Sequence, residues 1–285
     1  MPADQPLITP APLPGAVFEA VPDLVRRHAA SRPDHPAVRD GDRTVSWAEL
    51  GTWAERIAAR LRADGLRTGD RVAGLSENSA EYVALYLGTL AAGGCMAPLP
   101  TSATAEALAG MLADSGARFL FASALHRATA DAIATDTHIG IGLDFGDGRW
   151  RGLDDWIGDA APMPPVAVQP GDWFDIIYSS GTTGVPKGIL HDHLFRSRQN
   201  VRQAVFGLGG EATTLLATPL YSNTTLVALL PTLSGGGTVV LMRKFDARGY
   251  LELAQRERVT HTRSEERRVG KECRALCRSR WSPYH

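Results

Sequence analysis

The residues best suited to chemistry lie in one glycine- and hydroxyl-rich stretch, 178–188, which reads YSSGTTGVPKG. Glycine has no Cβ, so its backbone N–H group can approach an anion closely. Hydroxyl groups add donors, and a lysine adds a mobile positive charge that suits a phosphate. The candidate phosphate ligands are Ser179, Ser180, Gly181, Thr182, Thr183, Gly184 and Lys187.

The flanks of this stretch indicate how it is held. The apolar run 173–178 predicts a buried strand before it, and a polar segment from His191 predicts a helix after it. A flexible loop between a strand and a helix is a common setting for phosphate binding. The stretch therefore predicts a phosphate-binding loop.

Two familiar phosphate motifs do not fit. The Walker A pattern requires Gly-Lys-Ser/Thr, whereas Lys187 follows Pro186 and precedes Gly188. The dinucleotide pattern Gly-x-Gly-x-x-Gly is also absent. The alternative is an ordinary surface loop in which Lys187 is a solvated lysine.

The stretch 179–188 meets every position of the pattern Ser/Thr-Ser/Thr-Gly-Thr-Thr-Gly-x-Pro-Lys-Gly. It closely resembles the signature loop of the adenylate-forming superfamily, which includes acyl- and aryl-CoA synthetases, luciferases and adenylation domains of peptide synthetases. Segments 45–50, 90–99 and 218–221 resemble further blocks of the family. The resemblance covers nearly all of residues 18–262.

The resemblance implies an activity. A carboxylic acid, fatty or aromatic, would attack MgATP to give an acyl-adenylate, and coenzyme A would then accept the acyl group. ATP, Mg²⁺ and coenzyme A are the implied cofactors and co-substrates, and the loop would hold the β- and γ-phosphates. One alternative is an adenylation domain that loads a carrier protein, and another is a non-catalytic nucleotide-site remnant.

The residues that would bind the acid are less clearly indicated by the sequence than the phosphate loop. His193 occupies the place of a histidine that follows the loop in many members, which suggests a position near nucleotide or acyl group. Tyr221, Ser222 and Asn223 could line the acyl pocket, or they could form a capped turn before a helix. The family usually has histidine after the position of Tyr221, and this departure weakens any substrate assignment.

Other kinds of site are disfavoured. His191 and His193 are two positions apart near a predicted helix start, so their side chains diverge, and no third metal ligand is evident. We predict no metal site there. No Gly-x-Ser-x-Gly elbow occurs, which argues against a serine hydrolase.

Strand and helix patterns alternate along the chain, which predicts an α/β fold. With the resemblance, we expect an incomplete large N-terminal domain of an adenylate-forming enzyme, with two βα subdomains and mainly parallel sheets. The predicted divisions are an irregular N-terminus (1–17), a first subdomain (18–150), a crossing segment (151–170) and the start of a second subdomain with the phosphate loop (171–262).

The segment 263–285 differs from the rest. Back-translated, it looks like one reading frame of a widely used sequencing adapter, so we interpret it as artefactual. The family's Tyr-Gly-x-Thr-Glu block, its Gly-Asp block and its catalytic lysine are not found in the sequence, so the catalytic residue is not identified. We expect an N-terminal fragment of a longer enzyme that is inactive by itself.

Composition limits the remaining classes. The 285 residues are 44% hydrophobic and 21% charged, which is typical of a soluble globular protein. Without the tail, 23 Lys+Arg face 28 Asp+Glu, a net charge of −5 that gives no support to nucleic-acid binding. We predict no membrane span, a cytoplasmic location by default and a buried Cys95. The oligomeric state is not indicated.

Overall fold

The computed structural model describes residues 18–179 and 187–263, in which strands and helices alternate. The helices of this part are α1 (Val21–Ser31), α2 (Trp47–Ala63), α3 (Ala80–Ala91), α4 (Ala105–Ser115), α5 (Arg127–Ile133), α6 (Leu153–Ile157), α7 (His193–Ala204), α8 (Asn223–Ser234) and α9 (Ala247–Arg256). The strands are β1 (Pro36–Asp40), β2 (Arg43–Ser46), β3 (Arg71–Leu75), β4 (Cys95–Pro98), β5 (Phe119–Ala122), β6 (Ile139–Gly142), β7 (Arg151–Gly152), β8 (Trp173–Ser179), β9 (Lys187–Asp192), β10 (Thr213–Leu216), β11 (Thr238–Leu241) and β12 (His261–Arg263).

The strands form two sheets. One has seven strands in the order β7-β6-β5-β3-β4-β8-β9, and the other has five in the order β12-β10-β11-β1-β2. Among the described strands, β2 and β9 run antiparallel to a neighbour, and the other pairs are parallel. The predicted α/β fold with mainly parallel sheets is confirmed.

The assignment of strands to subdomains differs from the prediction. The strand before the candidate loop, β8, pairs with β4 in the seven-stranded sheet instead of beginning a second unit. Conversely, the early hairpin β1–β2 joins the five-stranded sheet because β1 pairs with β11. Local sequence patterns specify strands, whereas these pairings depend on contacts far apart in the chain. The crossing segment contributes β7 to the first sheet.

The helix predicted from His191 is present, but it begins two residues later. Residues Lys187 to Asp192 form β9, whose backbone pairs with β8 in an antiparallel hairpin. The helix begins only at His193, because Asp192 is its N-cap and accepts from the backbone of Phe195 at 2.7 Å. The candidate loop therefore connects two strands.

Two other local predictions are confirmed. The capping box before α2 is complete: Glu49 N donates to Ser46 Oγ at 3.2 Å, and Ser46 N donates to Glu49 Oε2 at 2.7 Å. Cys95 is a buried free cysteine in β4. Burial raises the pKa of its thiol, so it behaves as a small apolar side chain.

Helices α2, α3 and α8 connect the two sheets. The largest apolar cluster contains residues of these helices together with residues of both sheets. In the described ranges, no helix is long and apolar enough to cross a membrane.

Helices α2 and α3 pack tightly at Gly88. A Cβ there would lie 2.6 Å from Cγ2 of Ile57 and 3.0 Å from the carbonyl oxygen of Ala54. The missing side chain lets the two helices pack directly against each other.

We predict that Gly88→Ala destabilises the protein by about 1–3 kcal/mol, because the new methyl group overpacks this contact. Gly110→Ala is the matched control: Gly110 is also helical, and a Cβ there would meet nothing within 4 Å. This control should be stabilising by up to about 1 kcal/mol, since alanine favours a helix over glycine. Urea unfolding of the purified variants measures both, and equal effects of the two substitutions would contradict the packing argument.

Candidate functional site

The two ends of the candidate phosphate loop lie side by side in the hairpin. Ser179 at the end of β8 is directly opposite Lys187 at the start of β9, and both side chains are exposed. Directly opposed residues of an antiparallel pair project to the same face of the sheet. The structure therefore brings one predicted hydroxyl and the predicted ammonium group together. The other predicted phosphate ligands lie outside the described residues, namely Ser180, Gly181, Thr182, Thr183 and Gly184.

The end of β8 is fastened to helix α4 by Tyr178. Its hydroxyl lies 2.7 Å from Oδ2 of Asp114 and 2.9 Å from the carbonyl oxygen of Met111. Burial, and then the hydrogen bond and negative charge of Asp114, raise the pKa of the phenol well above its usual value. Tyr178 therefore stays a neutral donor and fixes the strand where the loop begins.

Asn78 connects the two sheets close to their carboxyl ends. Its Nδ2 donates to the carbonyl oxygens of Thr218 at 3.0 Å and Met242 at 3.1 Å, just beyond β10 and β11. Its Oδ1 accepts from the backbone N–H of Leu220 at 2.9 Å. Asn78 itself follows β3 and is buried.

This connection determines where the substrate candidates lie. Strands β3 and β8 run in the same direction in one sheet, so their carboxyl ends lie at one edge. Asn78 ties the turn at 218–222 to that edge, which is also the edge where the candidate loop begins. Crevices outside the carboxyl ends of parallel strands are the usual ligand sites of open α/β sheets.

A buried ion pair lies behind the hairpin. Arg196 of α7 donates through Nη2 to both oxygens of Asp175 on β8, at 2.9 Å and 2.6 Å. Both side chains are fully buried. In such surroundings the pair depends on further hydrogen bonds to offset desolvation.

Those further bonds come from two elements beside β8. The hydroxyl of Tyr86 on α3 donates to Oδ2 of Asp175 at 2.7 Å, and Nδ1 of His191 on β9 lies 2.6 Å from Oδ1. The His191 ring stacks on Phe195 with ring centroids 4.6 Å apart. Burial alone would raise the pKa of Asp175, but the charge of Arg196 and the hydrogen bonds from His191 and Arg196 outweigh it and hold the pKa below the usual 3.8.

Arg196 also reaches the start of helix α8. Its Nη1 donates to Oδ1 of Asn223 at 2.8 Å and to Oε1 of Gln199 at 2.8 Å. The ion pair thus joins the hairpin of one sheet to a helix that packs on the other sheet.

His193 is buried at the start of α7. Its ring meets Phe174 edge-on with centroids 4.9 Å apart, and neither ring nitrogen has a hydrogen-bond partner among the described residues. Burial lowers the pKa of His193 to about 4, so the ring is neutral at neutral pH. The structure thus separates His193 from His191, whose ring faces Asp175.

The three residues suggested for the acyl pocket take different positions. Ser222 is the N-cap of α8 and accepts from the backbone of Thr224 at 3.3 Å, as the capped-turn alternative predicts. Asn223 is exposed, and its amide oxygen is held by Arg196. Tyr221 precedes both and is half-buried. Their contact with an acid remains a prediction.

The sequence analysis did not identify Asp175, Arg196 or Asn78. A usable signal was present for Asp175, because a single carboxylate inside the apolar run 173–178 requires a buried partner. Nothing in the local sequence singles out Arg196 as that partner. The part of the chain that the structure describes contains no group of three His, Cys, Asp or Glu side chains able to hold a metal ion.

Comparison with known proteins identifies a family for this arrangement. The family described as "AMP-binding enzyme" matches residues 25–264. Feruloyl-CoA synthase of Amycolatopsis sp. is 35% identical over 237 residues, which cover 82% of this chain and 46% of that protein. A fatty acid–[acyl-carrier-protein] ligase of Streptomyces coeruleorubidus is 32% identical over 241 residues, which cover 79% of this chain and 44% of that protein. The chain thus spans just under half the length of these relatives.

A solved structure shows the same fold. The o-succinylbenzoate CoA synthetase of Bacillus subtilis, in complex with its acyl-adenylate intermediate, superposes with a TM-score of 0.76 at 25% identity. The match covers 92% of this chain and 66% of that one.

We predict that Asp175→Asn lowers the free energy of unfolding by about 3 kcal/mol, because it leaves the buried Arg196 without a countercharge. Asp136→Asn is the control: Asp136 is exposed, and its loss should change stability by less than about 0.5 kcal/mol. Urea unfolding at neutral pH measures both variants. An effect of Asp175→Asn no larger than that of the control would contradict the assigned ion pair.

His193 should make the protein sensitive to mild acid. The unfolded chain protonates this ring below its ordinary pKa of 6.5, whereas the folded protein does so only at about 4. The free energy of unfolding therefore falls as the pH drops between these values, by about 3 kcal/mol in total. His193→Leu removes this contribution, so its stability should fall less steeply over the same interval. Unfolding measured across that pH range tests this, and parallel curves for the two proteins would contradict it.

Proposed function

The chain belongs to the family of AMP-binding enzymes, and we propose that the complete protein activates a carboxylic acid with ATP and transfers it to coenzyme A. The acid carboxylate would attack the α-phosphorus of ATP and release pyrophosphate. The thiol of coenzyme A would then attack the acyl carbon of the acyl-adenylate, and AMP would leave. The acid is fatty or aromatic.

The observation that carries this proposal is the signature sequence at the β8–β9 hairpin. Ser179 and Lys187 face the same side where the loop begins, at the carboxyl edge of a parallel sheet. A hydroxyl donor and an ammonium group at such an edge suit the oxygens of a polyphosphate. The relatives support the reaction class, since one is a feruloyl-CoA synthase and another a fatty acid–carrier-protein ligase.

Lys187 would act through its charge. Breaking the bond between the α-phosphorus and the bridging oxygen places negative charge on the leaving pyrophosphate. An ammonium group already positioned beside that oxygen stabilises the transition state without reorganisation. Ser179 would donate a hydrogen bond to the same phosphates, and the residues 180–184 would complete their binding.

Mg²⁺ would arrive with the ATP phosphates. Within the described ranges, no group of three His, Cys, Asp or Glu side chains could hold the ion by itself.

The turn 221–223 is the proposed acid-binding element. His193 is not included, because it follows the end of β9 and its backbone N–H donates to the carbonyl oxygen of Asp172 just before β8, at the opposite end of the hairpin from the loop. Its side chain is also buried. Tyr221, Ser222 and Asn223 lie at the same edge as the loop through the contacts of Asn78. The aromatic or aliphatic nature of the acid is left open by these residues.

A second candidate is transfer of the acyl group to a carrier protein instead of coenzyme A. The similarity to the ligase of Streptomyces coeruleorubidus favours it. Both candidates share the first half-reaction. Adding either coenzyme A or a carrier domain that bears a free thiol to the complete protein, and measuring AMP release, separates the two.

We further propose that the 285 residues alone do not catalyse this reaction, because the family's Tyr-Gly-x-Thr-Glu block, its Gly-Asp block and its catalytic lysine are not found in their sequence. Acid-dependent pyrophosphate release by the purified 285-residue chain would contradict this. The interpretation of 263–285 as artefactual is tested by sequencing the source gene through the codon for Thr262.

We predict that Lys187→Ala lowers kcat/KM for pyrophosphate release by the complete enzyme by about 100-fold, because it removes a charge beside the leaving group. Arg62→Ala is the control, since Arg62 is also an exposed cation but lies near the end of α2. There Asp64 accepts a hydrogen bond from Arg118 just before β5, at the edge of the sheet opposite the candidate loop. The control should stay within about twofold of the parent. Release from Lys187→Ala at the parent rate would refute the assigned role of Lys187.

A further inference from the structure

The contact between Arg196 and Asn223 determines which way an exposed amide points. An arginine side chain has only donors, so the amide group that faces it must be the oxygen. Nη1 of Arg196 lies 2.8 Å from Oδ1 of Asn223. The Nδ2 group of Asn223 therefore points away from Arg196, and both of its hydrogens are directed elsewhere.

The arginine cannot easily turn to release this contact. Its Nη2 is held by both oxygens of Asp175, and the second hydrogen of Nη1 is taken by Gln199 at 2.8 Å. The guanidinium group is planar, so fixing Nη2 also fixes the direction of Nη1. Arg196 is fully buried, which excludes competing water.

Asn223 presents this donor at the proposed acid-binding turn. The residue is exposed at the first position of α8, directly after Tyr221 and Ser222. Among the residues that the structure describes, no group accepts a hydrogen bond from its Nδ2. The amide thus has a fixed orientation and an unused donor.

We propose that Arg196 is a positioning residue that holds the Asn223 amide with its NH₂ group toward the acid. The enzyme would then favour acids in which the part that lies beside this turn carries an acceptor oxygen. A hydroxyl, methoxy or keto oxygen would serve. This inference rests on the proposed function and specifies the substrate class of the same site.

Asn223→Asp tests the donor directly. An ionised aspartate still accepts from Arg196 but has no hydrogen to donate, and its second oxygen repels an acceptor. The complete enzyme would be assayed for pyrophosphate release with two matched pairs: ferulic against cinnamic acid, and 7-oxooctanoic against octanoic acid. We expect the parent to prefer the oxygen-bearing member of at least one pair. In the variant, kcat/KM for that acid should fall about tenfold, and kcat/KM for the acid of the same pair that lacks the oxygen should change less than about twofold.

Substitutions of Arg196 test the positioning role. Arg196→Met removes the donors and lets the amide rotate, so the preference within the acid pair should fall while KM for ATP changes less than about twofold. Arg196→Lys keeps a charge and a donor and should restore part of the preference. If Arg196 had only a structural role, Arg196→Met would lower the unfolding temperature, and it would lower the rates with the two acids of a pair by the same factor. If Arg196→Met does not fold, Asn223→Asp decides, because Asn223 is exposed.

The outcomes separate the two proposals. Two results overturn the assignment of Arg196 and Asn223 but leave the ligase reaction standing. The first is pyrophosphate release by the parent with no preference in either pair of acids. The second is an equal loss of kcat/KM for both acids of a pair in Asn223→Asp. No release by the parent enzyme with any of the four acids overturns the proposed function itself.

Discussion

The buried ion pair between Asp175 and Arg196 is the interaction on which the arrangement of the site depends. Removing two charges from water is costly, and the pair is tolerated because every oxygen of the carboxylate is hydrogen-bonded. Those bonds come from α3, β9 and α7, so the carboxylate fixes three elements around the strand that enters the candidate loop. The same guanidinium continues to Asn223 at the start of α8.

A second polar contact completes the edge of the site. Asn78 follows the carboxyl end of β3 and donates hydrogen bonds to carbonyl oxygens just beyond β10 and β11, which belong to the other sheet. Apolar packing through α2, α3 and α8 brings the sheets together but has no direction. Hydrogen bonds do have direction, so Asn78 and Arg196 set how elements of the two sheets face each other at this edge.

Most helices and strands could be predicted from the sequence, but few of the pairings between them could. The capping box at Ser46, the strands and the phosphate-loop signature follow from patterns within a few residues, and such patterns are local. The membership of β8 in the first sheet and of β1 in the second depends on contacts between distant segments, which no local pattern encodes. Strand β9 was missed because it forms by pairing with β8 in a hairpin that no local pattern indicates. Asp175 was visible as an isolated carboxylate, but its partner Arg196 lies 21 positions later.

Stability alone does not account for charged groups in this place. Apolar side chains of similar volume often replace a buried ion pair without loss of stability. Such a replacement would keep α7 against β8, because packing needs only matching shapes. It would not keep Asn223 in one orientation, since an amide beside a methyl group has no reason to prefer its oxygen over its nitrogen. The ion pair therefore fixes the direction of the Asn223 amide, which apolar packing cannot do. A donor of fixed direction is what the proposed preference for one acid over another requires.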